Sequence, residues 1–187
     1  MFSTSRCYVR EFEKKDIDDF MKYRNDLNWM KYQTFKGLSK EEYVEILTKS
    51  KDIEKGIQLA IFLKENDELL GDLYIQREDN ILWLGYTISP SKARKKFMFE
   101  VISALLKKCR NTNIHTIKAE VAIENIASIN LLKKLNFKLE QETDEECIYK
   151  MDISKDDAIK DIDEAKKMAN PDRVAFVKMF ENICNQD

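Results

Sequence analysis

The 187-residue sequence contains only four glycines, two prolines and one histidine. So few turn-forming residues argue against a collagen-like chain, a long flexible linker and a turn-rich all-β sandwich. No run reaches the roughly 18 apolar residues of a membrane-spanning helix, and residues 1–10 lack the apolar stretch of a secretory signal. The single histidine, His115, excludes HExxH zinc chemistry and any site built from several histidines. We therefore expect a cytoplasmic protein that uses no metal and contacts no membrane.

Cysteine spacing and net charge exclude further classes of protein. The four cysteines lie in no CxxC pair or other metal-ligand spacing: Cys7, Cys109, Cys147 and Cys184. We interpret them as buried thiols in a reducing compartment, not as zinc ligands or disulfides. The 32 basic and 34 acidic residues give a formal net charge of −2, so no overall positive field is available to hold nucleic acid. Any site for a polyanion must therefore be local.

The spacing of apolar residues predicts a mixed α/β fold in one domain. Alternating apolar positions predict strands at residues 7–12, 57–63, 69–76, 81–88, 117–123, 137–139 and 147–153. Helical spacing predicts a helix over 97–109 and others that begin at Asp16, at Ser39 with Glu42 as a capping box, and at Asn125. Short turns make the three central strands an antiparallel meander, with Gly71 a candidate bulge. The step from 81–88 through 97–109 to 117–123 is a candidate parallel crossover.

The chain after residue 153 has a different pattern. Residues 154–187 predict two amphipathic helices that follow a completed sheet. We therefore divide the chain into a core at 1–153 and a helical extension at 154–187 that packs on the same domain. The extension has three candidate roles, which are packing on the core, covering a site, and contacting a second subunit in a homodimer.

The segment at 85–100 carries the clearest chemical signal. A strand ends there, a polar loop follows, and a helix begins. Backbone N–H groups in such a loop and in the first helical turn lack intrahelical partners, and the helix dipole favours an anion at this end. Four cationic side chains crowd the same loop: Lys92, Arg94, Lys95 and Lys96. The sequence therefore indicates a phosphate or pyrophosphate site, and a solvated basic turn is the alternative.

Three blocks, in this order and at this spacing, resemble one known family. Residues 84–90 (LGYTISP) are similar to the fourth strand of the GNAT superfamily of acyl-CoA-dependent N-acetyltransferases, in the branch of the ribosomal-protein-alanine N-acetyltransferases. Residues 119–121 (AEV) and 124–137 (ENIASINLLKKLNF) resemble that family's AEV…ENxxSxxLLxKLGF stretch. Residues 8–12, followed by Asp16, are similar to its opening strand and helix. The resemblance covers about residues 6–153 and implies a GNAT-like mixed α/β fold.

The resemblance also implies an activity and a set of cofactor contacts. The activity is transfer of an acetyl group from acetyl-CoA to a primary amine of a small molecule or peptide, by direct attack without an acyl-enzyme. The strand that ends at Ile88 would bond the pantetheine arm, and Asn125 and Ser128 would contact the pantetheine or its thiol end. The pyrophosphate would be held by Ala93, Arg94, Lys95, Lys96, Phe97 and Met98. Helix capping is the alternative role for Asn125 and Ser128.

The pyrophosphate loop departs from the family's pattern, which reads Q/R-x-x-G-x-G/A. Its defining slots here hold Ala93, Lys96 and Met98, and Arg94 stands at another position that is often glycine. A residue other than glycine at positive φ costs on the order of 1–2 kcal/mol, although cationic side chains can contact phosphate oxygens themselves. Two hypotheses follow. The chain is an N-acetyltransferase with an altered grip on CoA, or it is a non-catalytic GNAT-fold binding or regulatory protein with weakened or lost CoA binding.

The sequence indicates the catalytic residues less directly than it indicates the cofactor loop. Leu132 stands where some family members carry a tyrosine as general acid. Glu120, on a strand next to the acyl site, is a candidate base acting through water, and an outward-facing strand residue is the alternative. Ser128 is a second catalytic candidate. Three aromatic residues fall where the family's acceptor-side loop lies and are candidate substrate contacts, with core packing as the alternative: Trp29, Tyr32 and Phe35.

Overall fold

The computed structural model describes residues 2–49 and 51–153, which form one mixed sheet with helices on both faces. The strands are β1 (Phe2–Ser3), β2 (Cys7–Glu11), β3 (Ile57–Leu63), β4 (Leu69–Glu78), β5 (Ile81–Ile88), β6 (Thr116–Ala122), β7 (Lys138–Glu142) and β8 (Glu146–Asp152). The α-helices are α1 (Ile17–Arg24), α2 (Lys40–Lys49), α3 (Phe97–Cys109) and α4 (Ile126–Lys134). No helix within these residues is both long and apolar enough to cross a bilayer. The predicted extension at 154–187, its boundary and Cys184 lie outside the described residues.

The sheet has eight strands in the order β1-β2-β3-β4-β5-β6-β8-β7. Neighbouring strands are antiparallel except β5 and β6, which are parallel and are connected through α3. The predicted mixed α/β class, the central meander and the parallel crossover are therefore confirmed. A parallel pair needs such a crossover because the chain has to return to the starting end of the sheet.

Strands β5 and β6 separate at one end of the sheet. Their parallel pairing ends at Trp83 and Lys118, whereas β5 continues to Ile88 and β6 to Ala122. Beyond that pair the backbone edges of the two strands face each other without bonding. A free sheet edge can bond an extended ligand, so this divergence creates a cleft that opens toward the start of α3.

Two cores lie on opposite faces of the sheet because side chains alternate along each strand. Helices α3 and α4 cover one face, where Leu105 and Leu132 are fully buried among sheet residues such as Leu73. Helices α1 and α2 cover the other face, where Phe20 meets Tyr43 edge-on at 5.1 Å between ring centroids. The cysteines of the described chain, Cys7, Cys109 and Cys147, are all buried.

The two predicted N-caps near the start of the chain differ in what their side chains bond. Ser39 and Glu42 form the predicted capping box, since Ser39 N donates to Glu42 Oε2 at 2.8 Å and Glu42 N donates to Ser39 Oγ at 3.3 Å. Asp16 is the N-cap residue of α1, as predicted, although its side chain makes no hydrogen bond to the N–H groups of that helix. A 3-10 turn at Lys14–Asp16 precedes α1, and the Asp16 carboxylate instead accepts from Glu13 N at 2.8 Å and from Arg10 at 2.6 Å.

Gly71 marks a bulge, as predicted, and it lies beside the cleft. Ile61 pairs with Gly71 and Phe62 with Leu69, so Leu70 is the extra residue in β4. A Cβ built on Gly71 would lie 2.1 Å from the carbonyl oxygen of Thr87 in β5. Because a side chain cannot fit there, glycine is required for this close approach of β4 to the last two residues of β5.

Candidate active site

The loop between β5 and α3 contains no glycine, although two of its residues adopt a backbone conformation that glycine favours. Arg94 and Lys96 both adopt left-handed backbone angles, with φ of 62° and 64°. Each such residue stores about 1–2 kcal/mol of strain relative to an ordinary conformation. Lys96 is the N-cap of α3, so the strained backbone leads directly into the helix terminus where unpaired N–H groups favour an anion.

The strained loop is braced by the N-terminal strand region. Glu100 in α3 accepts from Arg6 N at 2.8 Å and from Arg6 Nε at 2.7 Å, and it also accepts from the hydroxyl of Thr4. Arg6 Nη1 donates to the carbonyl of Lys95 at 3.2 Å, and its guanidinium lies 4.4 Å from the centroid of the Phe97 ring. Although burial alone raises the pKa of Glu100, the bonds from Thr4 and Arg6 bring it below its usual value.

Three of the four cations in the loop remain available to a ligand. Arg94, Lys95 and Lys96 are exposed and make no ion pair with any described residue. Lys92 differs, because its Nζ is 2.6 Å from Glu68 Oε2, an interaction that lowers the pKa of Glu68. The predicted ligands Phe97 and Met98 have buried side chains, so only their backbone can face a phosphate. Ala93, half-buried, ends the short 3-10 turn at Pro90–Lys92.

The connection between α1 and α2 spans the cleft. The indole Nε1 of Trp29 donates to the carbonyl of Ile88 at 2.8 Å, and the Tyr32 hydroxyl donates to the carbonyl of Glu124 at 3.1 Å. We call Trp29 and Tyr32 the clasp, because one bonds the β5 side of the opening and the other bonds the side that leads into α4. The Ile88 carbonyl, expected to bond pantetheine, thus already has a partner within the chain.

Asn125 and Ser128 lie together at the start of α4. Asn125 Oδ1 accepts from Ser128 N at 3.2 Å, which is the capping role that the sequence left open. The Ser128 hydroxyl lies 2.6 Å from the Tyr86 hydroxyl, which reaches across from β5. Burial raises the pKa of Tyr86 to about 12, so this phenol stays protonated near neutral pH. Sequence reasoning missed Tyr86, although it lies inside the LGYTISP block.

Glu120 lies on the part of β6 that has diverged from β5, and it is exposed. A side-chain hydrogen bond with Glu146 of β8 raises the pKa of Glu120, and burial and like-charge repulsion add to the shift. Glu146 was missed because only the pairing of β6 with β8 brings it near. In the described part of the chain, no three His, Cys, Asp or Glu side chains are placed to hold a metal ion.

A cavity of about 510 Å³ opens on the α1–α2 face of the sheet. Gly85 and Tyr86 form its border with the diverged part of β5, and the predicted substrate residue Phe35 lines another wall. Phe35 also packs against Phe20 and Tyr43, with ring centroids 6.3 Å and 5.4 Å away, so core packing is part of its role. The structure thus brings Trp29 and Tyr32 to the cleft and Phe35 to an adjoining cavity.

A buried polar cluster supports the inner wall of this cavity. Asp72 of β4 is fully buried and accepts from Tyr23 Oη at 2.7 Å, from Arg24 Nη2 at 2.6 Å and from Gln58 Nε2. Burial raises the pKa of Asp72, and the Arg24 guanidinium opposes that shift. Of the cluster, Arg24 and Gln58 also line the cavity. Sequence reasoning did not single out this cluster, since its members come from three separate elements.

A sheet that splits between two parallel strands, with a helix N-terminus and three exposed cations at the cleft, is the arrangement that the resemblance to acyl-CoA-dependent acyltransferases predicts. Residues 6–138 match the family model described as the acetyltransferase (GNAT) domain. The chain therefore belongs to the GNAT family and is an N-acetyltransferase, which confirms the resemblance read from the sequence. It is 27% identical over 141 residues to the uncharacterized N-acetyltransferase YnaD of Bacillus subtilis strain 168, covering 74% of this chain and 82% of that protein.

Solved structures of the same fold include enzymes with different acceptors. A spermidine N-acetyltransferase from Vibrio cholerae, in complex with CoA and spermine, superposes with a TM-score of 0.71 at 20% identity, covering 81% of this chain and 98% of that one. A ribosomal-protein-S5-alanine acetyltransferase from Vibrio fischeri superposes with a TM-score of 0.67 at 16% identity, covering 82% and 96%. At these identities the likeness shows the fold alone.

Proposed function

We propose that this chain binds acetyl-CoA along the cleft between β5 and β6 and acetylates a primary amine held in the cavity beside Gly85. The observation that carries the proposal is the left-handed backbone of Arg94 and Lys96 at the head of the cleft. That conformation is costly for residues with side chains, and it directs the helix terminus and three exposed cations to one place. The acyl donor acetyl-CoA carries a pyrophosphate, which suits this arrangement.

The side chains of the loop replace part of what glycine would supply. Glycine would allow phosphate oxygens to approach the backbone closely, whereas Arg94 and Lys96 project side chains from the same positions. Charge-assisted hydrogen bonds from guanidinium and ammonium groups to phosphate are stronger than neutral ones. We therefore assign the pyrophosphate to Arg94, Lys95 and Lys96, together with the backbone N–H groups of Phe97 and Met98.

The clasp has to adjust when the pantetheine arm enters. The Ile88 carbonyl accepts from the Trp29 indole at 2.8 Å, and a pantetheine amide that bonds the same oxygen competes with that indole. The loop that carries Trp29 spans residues without regular helix or strand between α1 and α2, so its movement does not unfold either helix. In this scheme the clasp rearranges on binding, and Trp29 then covers the bound thioester.

The residues around the cleft suit direct acyl transfer. After the substrate ammonium has lost one proton, the free amine nitrogen attacks the thioester carbonyl. The C–S bond then breaks, the CoA thiolate leaves, and the second nitrogen proton passes through water to that thiolate. Glu120 takes the first proton from the substrate ammonium through water, before the attack, and its raised pKa brings this base closer to the working pH. The Ser128 hydroxyl, held by Tyr86, donates a hydrogen bond to the leaving sulfur.

The acceptor is a small-molecule or peptide amine. The relatives named above include a spermidine enzyme and a ribosomal-protein-alanine enzyme, which together span both kinds of acceptor. The size of the cavity falls in the range of ordinary small-ligand pockets and is therefore suited to a small amine or to one terminal residue of a peptide. Cytoplasmic location, a homodimer and the absence of a nucleic-acid partner stay predictions.

A non-catalytic GNAT-fold binding or regulatory protein is the second candidate function. It is favoured by the bond from Trp29 to Ile88 and by the bond between Tyr86 and Ser128, because both join groups that a bound cofactor would use. If these bonds persist in solution, the cleft is closed to pantetheine. The chain would then retain the family's fold without its cofactor.

Calorimetric titration with acetyl-CoA, followed by a thiol-release assay with a panel of amines, separates the two functions. We expect one acetyl-CoA per chain and amine-dependent thiol release. Lys96→Glu and Arg94→Glu should each weaken acetyl-CoA binding at least tenfold while kcat at saturation changes less than threefold. Lys107→Glu is the matched control, because Lys107 is exposed near the opposite end of the same helix. Absence of binding at millimolar acetyl-CoA would overturn the enzyme assignment.

A further inference from the structure

The cavity beside Gly85, which holds the acceptor amine in the proposed function, has basic residues on its wall and no acidic ones among the described residues. Two basic residues, Arg24 and Lys55, line it, and none of the described residues that line it is acidic. Lys55 stands at the exposed rim, where its Nζ lies 3.2 Å from Asp52 Oδ2. A polycationic amine would therefore find no carboxylate among the described residues of this wall to pair with. The acids Asp72 and Asp52 are already paired with Arg24 and Lys55.

Arg24, which lines the cavity, has one hydrogen-bond donor without a partner among the described residues. Its guanidinium has five N–H donors, and the residue is 2% exposed. Nη2 donates to Asp72 at 2.6 Å and Nη1 lies 3.8 Å from the sulfur of Met30, whereas Nε has no partner among the described residues. A buried donor left unpaired is costly, so a ligand oxygen placed beside Arg24 would remove that cost.

The carboxylate of Asp72 cannot turn to satisfy this donor. It is already held by Tyr23, Arg24 and Gln58. The other buried side-chain nitrogen or oxygen without a partner in the described chain is Thr87 Oγ1, and Thr87 pairs with Asp72 across β4 and β5. Two unsatisfied polar atoms thus occur around one ion pair, on the sheet face that carries the cavity.

From these observations, and resting on the proposed function, we infer that the acceptor is a primary amine that also carries a carboxylate. The carboxylate binds Arg24 Nε in the cavity with Lys55 at the rim, and the amine points toward the diverged edge of β5 at Gly85. Arginine binds carboxylates through its rigid N–H array. The site therefore selects amino acids and related zwitterions and rejects polyamines.

Matched ligand pairs test this selection. Calorimetry on the full chain, with and without saturating CoA, compares L-phenylalanine with phenethylamine, L-leucine with isopentylamine, and L-lysine with cadaverine. The members of each pair differ only in the carboxylate. We expect each amino acid to bind about tenfold or more tightly than its amine, in line with a hydrogen bond between charged groups. Equal binding, tighter binding of the amines, or binding of neither would overturn the inference.

Two variants locate the contact. Arg24→Lys keeps a cation beside Asp72 but removes the Nε donor, and Lys55→Gln changes an exposed residue at the rim. Each should weaken amino-acid binding severalfold and leave amine binding within twofold, whereas Lys51→Gln, outside the cavity wall, should change neither. If Arg24→Lys does not fold, the wild-type pairs and Lys55→Gln decide the question.

Thiol release measured on the same samples tests the proposed function separately. Amino acids that bind selectively but release no CoA would contradict acetyl transfer and support the carboxylate site. Efficient acetylation of the amines with no preference for the amino acids would support acetyl transfer and overturn the carboxylate site.

Discussion

The indole N–H of Trp29 donates a 2.8 Å hydrogen bond to the carbonyl oxygen of Ile88, which is the last residue of β5. Tyr32 makes the corresponding bond to Glu124 on the opposite side of the cleft. The strand end that the family resemblance assigns to pantetheine is thus bonded by the protein's own side chain. The competition between indole and cofactor for one carbonyl is open to measurement.

Removing the Trp29 donor should strengthen acetyl-CoA binding. In Trp29→Phe the aromatic ring stays while the N–H that occupies Ile88 is lost. One such hydrogen bond has a net value of about 0.5–1.5 kcal/mol, so we expect Kd from calorimetry to fall about 2- to 12-fold. Trp83→Phe is the control, because the Trp83 indole bonds Glu78 at 2.8 Å, away from the clasp. Weaker binding in Trp29→Phe would indicate that the indole N–H bonds the cofactor and does not compete with it for the Ile88 carbonyl.

Replacing the strained loop residues by glycine should affect stability and affinity in opposite directions. Lys96→Gly relieves about 1–2 kcal/mol of left-handed strain but adds about 0.5–1 kcal/mol of unfolded-chain entropy. The free energy of unfolding, measured with urea, should therefore stay level or rise by up to about 1.5 kcal/mol. Acetyl-CoA should bind more weakly because a phosphate-binding side chain is lost.

The control for this prediction is Asn136→Gly. Asn136 also has a left-handed φ, 67°, but lies between α4 and β7, away from the loop. That variant should leave acetyl-CoA affinity unchanged. Tighter binding in Lys96→Gly would show that the side chain obstructs the phosphate and would refute the assigned contact.

Glu100 should make stability depend on pH in the acidic range. Its folded-state pKa lies below its usual value, so the stabilisation it provides is present above the ordinary glutamate pKa and is lost as pH falls through the folded value. Glu100→Gln should cost about 1–3 kcal/mol at pH 7 and much less near pH 3. Urea unfolding at both pH values checks this, and Glu45→Gln in the exposed pair with Lys49 should change little at either.

Glu146→Gln should shift the titration of Glu120. The neighbouring acid raises the pKa of Glu120, and an amide in its place donates to the carboxylate and lowers that pKa. The acidic limb of the pH profile of kcat/KM should therefore move to lower pH if Glu120 is the base. If the acidic limb does not move, Glu120 is not the base. The control is Glu145→Gln, one residue away, which should leave the pH profile as in the wild type.

The pair of Glu120 and Glu146 predicts that the free energy of unfolding depends on pH in the direction opposite to that at Glu100. A carboxyl with a raised folded-state pKa contributes stability below its unfolded value and loses that contribution as pH rises through the folded value. Glu146→Gln should therefore be more stable than the wild type at pH 7, with little difference near pH 4. Thermal unfolding at the two pH values checks this prediction.

Much of the architecture was predictable from local sequence patterns. The capping box at Ser39 and Glu42 and the bulge at Gly71 follow from residues within a few positions of each other. Asp16 stands at the predicted N-cap of α1, but its carboxylate bonds Arg10 and Glu13 N instead of the N–H groups of that helix. Capping signals do not reveal such competition, since they consider one helix at a time.

The sequence by itself determined the order of the helices and strands from β2 to β8, the parallel crossover and the position of the basic loop at the start of α3, whereas the two-residue strand β1 was not predicted. These depend on periodicity and on charges close together in the chain. Tertiary structure alone decided which groups meet: Trp29 with Ile88, Arg24 with Asp72, and Glu120 with Glu146. Those contacts depend on strand register and on the path of the loop between α1 and α2, which are set by packing across the whole sheet and not by neighbouring residues.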